Sequence, residues 1–224
     1  MNLDFSFKKL PPTYITIIVI FIIFIMLLPL LYLLIRVIDV NPEILNIFFS
    51  MNYLYIIIRS LLLMLLVSLI TLFIALPLAW INVRMVLPLP NVWAVLLSLP
   101  LVIPTYVGAF IYSSLLGPKG VLQDLLGVLL GINKLPDIHG LFGATLVLSL
   151  LSFPYLFLIL KSSITNLDST LIESSRLLGY GSTKTFFKIS LPQLRPSIIA
   201  GTLFVSLYTL SDFVAVSLMR YNTI

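Results

Sequence analysis

Five apolar runs, each long enough to cross a bilayer, leave this 224-residue chain few folds to choose from. They extend from about Tyr14 to Ile35, Leu54 to Ile81, Val92 to Leu116, Leu141 to Leu160 and Ser197 to Met219. A span needs about 20 apolar residues, and in lipid only helices or closed barrels satisfy every backbone polar group. None of the runs shows the two-residue alternation of barrel strands. All five are therefore predicted to be helices, and the fold class is all-α integral membrane. Composition agrees: 60% of residues are hydrophobic, 9% are charged and the mean hydropathy is +1.18, more apolar surface than a soluble domain of this size can bury. A soluble enzyme and a nucleic-acid-binding domain are thereby excluded. With no cysteine in the chain, so are a disulfide scaffold and a thiolate metal site. The first run is too long for the apolar part of a cleavable signal and no small-x-small site follows it, so it reads as a retained anchor.

Orientation follows from the thirteen Lys and Arg residues. With the N-terminus cytoplasmic, Lys8, Lys9, Arg84, Lys161, Arg176, Lys184, Lys188 and Arg195 lie inside, against Arg36, Arg59, Lys119, Lys134 and Arg220 outside. Eight against five favours that orientation. Residues 1–13 are then a cytoplasmic N-terminal segment, the membrane domain covers 14–224, and the C-terminus lies outside. The net charge of +5 thus reflects topology rather than an acidic or nucleic-acid partner.

Residues 162–195 form the longest polar stretch, predicted to be cytoplasmic, and they carry helix punctuation. Thr170 to Glu173 fits a capping box, which predicts a helix starting near Leu171. Ile164, Leu167, Leu171, Ser174 or Ser175, and Leu178 recur at helical spacing as one mostly apolar stripe. Gly179 suits a left-handed C-terminal cap, and Gly181-Ser182 permits a reversal into a second short helix, Thr183 to Ile189. Leu191-Pro192 is expected to stop that helix, and Pro196 to open the fifth span. An amphipathic connector resting on the membrane surface would show the same periodicity.

The fixed positions go further: Glu173-Ser174-Ser175, three residues, Gly179, nine residues, Ile189, one residue, then Leu191-Pro192. This resembles the EAA loop, E-A-A-x3-G-x9-I-x-L-P, of permease subunits of binding-protein-dependent ABC importers, with serine at both alanine positions. The resemblance implies that the loop is a coupling helix docked on an ATP-hydrolysing subunit. Glu173 would contact that subunit, Gly179 would make the turn and Leu191-Pro192 would fix the return to the membrane. The implied partners are two copies of an ATP-binding ABC subunit, a second permease half, fused or separate, and a periplasmic substrate-binding protein. The implied place is the bacterial inner membrane, with no nucleic acid and no cofactor. The chain has no G-x4-G-K-[ST] phosphate loop, so ATP hydrolysis is expected in a partner. Leu116 to Gly120, and Leu210-Ser211-Asp212-Phe213 through Arg220 to Thr223, look like the first half of ferric-iron permeases, with thiamine permeases as close relatives. Ferric iron is the solute this implies, with thiamine or another small solute behind it. A half of that family has six spans; this chain is expected to be truncated or completed by another polypeptide.

Among single residues, Asp212 is the sole acid inside an expected span. It either lines the translocation path or marks an early helix end at the outer interface. Pro100 and Pro104 free backbone carbonyls in the third span, a device transporters use at gates. Arg59 is expected to snorkel to the outer headgroups, and Tyr14, Tyr55, Trp80 and Trp93 to anchor span ends. His139 with Asp137 is too small a set for ferric iron, which prefers several oxygen ligands. No nucleophile, base or carboxylate pair for catalysis can be assembled. The competing class is a secondary transporter or membrane scaffold without an ATPase, which would need buried ionisable relays.

Overall fold

The computed structural model describes residues 13–38, 51–117, 120–121 and 138–223. The expectations for Lys8, Lys9, Lys119, Lys134 and Asp137 lie outside them. Met1–Tyr53 and Leu54–Ile224 form two compact units. The first contributes α1 (Thr13–Ile38), whose apolar stretch Tyr14–Arg36 has no buried residue within its unit's own packing. At its end the Arg36 Nε donates to the Tyr32 hydroxyl at 3.2 Å. This keeps the guanidinium beside an aromatic ring at the end of the run, where interfacial residues belong.

The second unit is a helical bundle. Its helices are α2 (Met51–Arg84), α3 (Pro90–Ser98), α4 (Thr105–Leu116), α5 (Leu141–Thr165), α6 (Ser169–Leu177), α7 (Ser182–Thr185), α8 (Leu191–Ser211) and α9 (Phe213–Leu218). At 34 residues, α2 is about 51 Å long at 1.5 Å per residue, well beyond a ~30 Å hydrocarbon core. Its buried residues are Ser60, Leu63, Val67, Ser68, Thr71, Ala75, Ala79 and Asn82, one narrow stripe at helical spacing. Small side chains fill that stripe because lipid supplies no hydrophobic push between helices and close approach must do the work. α5 is the hub: Leu148, Leu156, Phe157 and Leu160 are wholly buried, and α3, α4, α8 and α9 all pack on it.

Hydroxyl pairs bridge the helices. Ser68 meets Ser206 at 2.8 Å across α2 and α8, Ser163 donates to Ser197 at 2.7 Å across α5 and α8, and Thr71 faces Ser152 at 3.5 Å. Such bonds in a membrane average about 0.6 kcal/mol each. Gly201 lets α8 approach α5 so closely that a Cβ there would collide with the Leu156 side chain.

The structure corrects two of the expected spans. The third is not one helix: α3, a 3₁₀ turn at Leu99–Val102 and α4 bend by 94°. Ile103 precedes Pro104 and is driven into extended backbone, φ −86° and ψ 117°, because the proline ring excludes the helical region for its neighbour. The fifth begins earlier and breaks earlier. α8 starts at Leu191 and holds Pro196 in its interior rather than at its start. It ends at Asp212, whose carboxylate accepts from the Ala215 N–H at 3.0 Å and caps α9. Among the described residues, three helices (α1, α2 and α5) are long and apolar enough to cross a membrane, or four spans if the bent α3–α4 pair counts as one.

Candidate coupling loop

Between α5 and α8 the chain makes a compact helical clasp. α6 begins at Ser169, two residues before the expected start, because Asp168 is its cap. The Asp168 Oδ1 accepts from the Thr170 N–H at 2.9 Å and from the Thr170 hydroxyl at 2.6 Å. The Thr170 hydroxyl is thus turned toward Asp168, and a different residue from the one expected satisfies the free N–H. The hydroxyl bond first, and then the backbone bond from the same residue, hold the Asp168 carboxyl below its ordinary pKa of 3.8. The sequence signal was an aspartate immediately before Ser-Thr.

The end of α6 is as expected. Gly179 has φ +81°, its N–H donates to the Arg176 carbonyl at 2.9 Å, and the Tyr180 N–H reaches back to the Ser175 carbonyl at 3.1 Å. This paired closure satisfies the last carbonyls of the helix and favours glycine, since an L side chain is strained at that φ. Gly181 turns in extended backbone, φ −68°. α7 follows, and Lys184 places its ammonium 4.3 Å from the centre of the Tyr180 ring.

The two serines of the Glu173-Ser174-Ser175 triplet have opposite surroundings. Ser174 is exposed, whereas Ser175 is 2% exposed and sits between α6 and α7. Its hydroxyl donates to the Ile172 carbonyl at 2.7 Å and pairs with the Thr185 hydroxyl at 3.0 Å. A serine where the resembled pattern has alanine is therefore accommodated, since its polar atom is satisfied. Sequence reading did not single out Thr185; its pairing ten residues away has no local signal.

Leu191-Pro192 does not stop the short helix. From Ser182 to Ser211 the chain stays helical, passing through a π-helical turn at Phe186–Ser190. The Leu191 N–H donates to the Phe186 carbonyl five residues back. Pro192 has no N–H and its ring crowds the carbonyl four residues earlier, so a widened turn ahead of it lets the helix run on. Ile189, Leu191 and Pro192 are half-buried. Phe186 meets Trp80 of α2 edge to face, centroids 4.7 Å apart. Near the same end of α2 the Arg84 guanidinium donates to the Ile164 carbonyl of α5 at 3.1 Å. The clasp is thus tied to α2 as well as to its own flanking helices.

The expected apolar stripe is not the buried face of α6. Leu178 is 78% exposed and Leu177 is 89% exposed. With Glu173 and Ser174 one turn earlier, they form an outward face opposite Ser175. Two exposed leucines on a polar helix form an apolar surface that a partner protein or the membrane can cover.

The other singled-out residues lie elsewhere in the bundle. Pro100 stands in the 3₁₀ turn and Pro104 immediately precedes α4, flanking the 94° bend. Asp212 is half-buried at the α8–α9 break and shares a crevice of about 10 Å³, one water's worth, with Ser60, Leu63 and Thr209. The two breaks adjoin, since α4 packs on α9. Among the described residues no group of three His, Asp or Glu side chains is placed to hold a metal ion, and His139 is half-exposed in the segment ahead of α5.

These features define an all-helical membrane protein with a bundle of apolar helices and a helix-turn-helix clasp outside it. Residues 64–220 match the family model of the binding-protein-dependent transport system inner membrane component, and the chain belongs to that family. It is 30% identical over 135 residues to the molybdenum transport system permease protein ModB of Escherichia coli K12, covering 60% of this chain and 58% of ModB. It is 32% identical over 174 residues to the spermidine/putrescine transport system permease protein PotB of the same organism, covering 75% and 61%. Similarity to the Fe(3+)-transport system permease protein FbpB 2 of Haemophilus influenzae is 31% over 129 residues, 58% of this chain and 22% of that protein. The chain spans less than two thirds of the length of these relatives.

Proposed function

We propose that this chain is a permease component of an ABC importer, receiving a solute from a separate binding protein and driven by a separate ATP-hydrolysing subunit. The observation that carries this is the outward face of α6, where Glu173, Leu177 and Leu178 stand exposed and Gly179 holds the turn behind them. A docked partner would cover the leucines. Its movement would reach α2 through Phe186 and Trp80, and α8 through the continuous helix beyond Pro192. In this reading the N-terminus and the loop are cytoplasmic, a second permease half completes the pathway, and the two adjoining breaks at Pro104 and Asp212 are where the bundle can flex as a gate.

The proposed solute is ferric iron, on the likeness of Leu116 to Gly120 and Leu210 to Thr223 to ferric-iron permeases. The named relatives are molybdenum, Fe(3+) and spermidine/putrescine transport permease proteins, so uptake of each solute into cells carrying the complete system decides. Iron uptake that depends on this chain supports the assignment, and dependence for molybdate or putrescine alone overturns it. Purification of the tagged protein in mild detergent tests the mechanism. A co-purifying ATPase that is lost on substituting Glu173 and Gly179 supports it. Recovery of folded protein with no such partner points to a secondary transporter or scaffold.

A further inference from the structure

Where α5 packs against α3 and the 3₁₀ turn, an open groove of about 420 Å³ follows the crease. Val95, Leu99, Val102 and Leu158 give it apolar walls, and Asn91, Ser98 and Lys161 are its polar lining residues. Val102 is 78% exposed, so the groove is open along that wall. Lys161 lies four residues before the end of α5 at Thr165, about 6 Å along the axis.

Lys161 is half-buried, and its ammonium makes no ion pair or hydrogen bond to any described residue. The described acids are Asp168, Glu173 and Asp212, and none of them is paired with it. A lysine that lays its stem along an apolar trough presents its cationic head at the trough's edge, where an anion can join it. Asn91 adds two N–H donors, which suit phosphate oxygens. A free phosphate would leave the apolar walls uncovered, and a neutral lipid would leave the lysine unneutralised. The feature that satisfies both halves is one molecule with a negative head and an apolar tail.

We propose that this groove binds an anionic phospholipid, with its phosphate at Lys161 and Asn91 and an acyl chain along Val95, Leu99 and Val102. The proposal stands whether or not the α6 face docks an ATPase.

The test is native mass spectrometry of the whole purified complex, delipidated and titrated with phosphatidylglycerol or phosphatidylcholine. Phosphatidylglycerol is expected to bind more tightly. Lys161→Gln should weaken that binding about five-fold, ~1 kcal/mol, leave phosphatidylcholine unchanged and keep the melting temperature. Lys161→Arg should restore the preference. Equal binding of the two lipids, or a preference that survives Lys161→Gln, overturns the proposal. A photo-reactive group at Val102 supplies a second readout: cross-linking to lipid supports the site, and cross-linking to another protein subunit assigns the groove to a helix instead.

Discussion

The α5-centred bundle and the clasp that follows it use the same residue types in opposite ways. In α5, Leu148, Leu156 and Leu160 are wholly buried, and Gly201 of α8 closes tightly on Leu156. In α6 the hidden residue is a serine, and the leucines face out. The bundle minimises exposed polar surface because lipid punishes it. The clasp spends a buried hydroxyl pair, Ser175 with Thr185, to hold two short helices in a fixed shape and leave an apolar face free.

The difference can be broken at Gly201 or at Gly179. Gly201→Val should press on Leu156 and Ile159 across α8 and α5, an overpacking cost of about 1–3 kcal/mol. The expected result is a lowered melting temperature and poor yield of monodisperse protein in detergent. Gly179→Val has open space around it but must hold φ +81°, a strain of about 1–2 kcal/mol confined to the turn. Here the melting temperature should barely move while transport falls at least ten-fold. Unchanged transport would separate the clasp from the transport cycle.

These two glycines also show what could be read in the chain. Gly179 was legible because its turn is local, two residues after α6 ends at Leu177, with spacing and residue type in agreement. Gly201 was silent, because its reason is a leucine 45 positions earlier in the chain. The long apolar runs announced the helices, yet not that Pro104 would bend one of them by 94°, since a proline in a membrane helix is also compatible with a mild kink. Leu191-Pro192 was misread as a stop because proline suits the first turn of a helix as well as the position after one. Thr170 and Asp168 competed for one cap, and the aspartate won by accepting two bonds at once.

Smaller changes sharpen the contrast within the clasp. Ser175→Ala leaves the Thr185 hydroxyl buried without that partner, and about 1 kcal/mol of local stability should be lost. Adding Thr185→Val should recover most of it, since an apolar pair replaces a polar one. Hydrogen exchange of the α6 amides reads both, and a loss that the second substitution fails to repair would show that the hydroxyl pair is not what joins α6 to α7.

The smallest effect is that of acid on Asp168. Its carboxyl is held below 3.8 by the Thr170 bonds, so the cap contributes above that pH and fades as pH falls through the lowered value. The protection factors of the amides at the start of α6, with the intrinsic pH dependence of exchange divided out, should therefore be flat from neutral pH down to 3.8 and fall only below it, and Asp168→Ala should abolish the step. A step centred above 3.8 would mean the cap is not formed in solution.

Leu177 offers the most direct test of the docking face. The chain contains no cysteine, so Leu177→Cys creates a single reactive thiol at a position that is 89% exposed in the chain itself. In native membranes carrying the complete system, that thiol should be shielded from a water-soluble maleimide and should cross-link to the ATP-hydrolysing subunit. A thiol that labels as freely in those membranes as in the isolated chain, with no cross-link, would contradict the assignment of this face to a coupling partner.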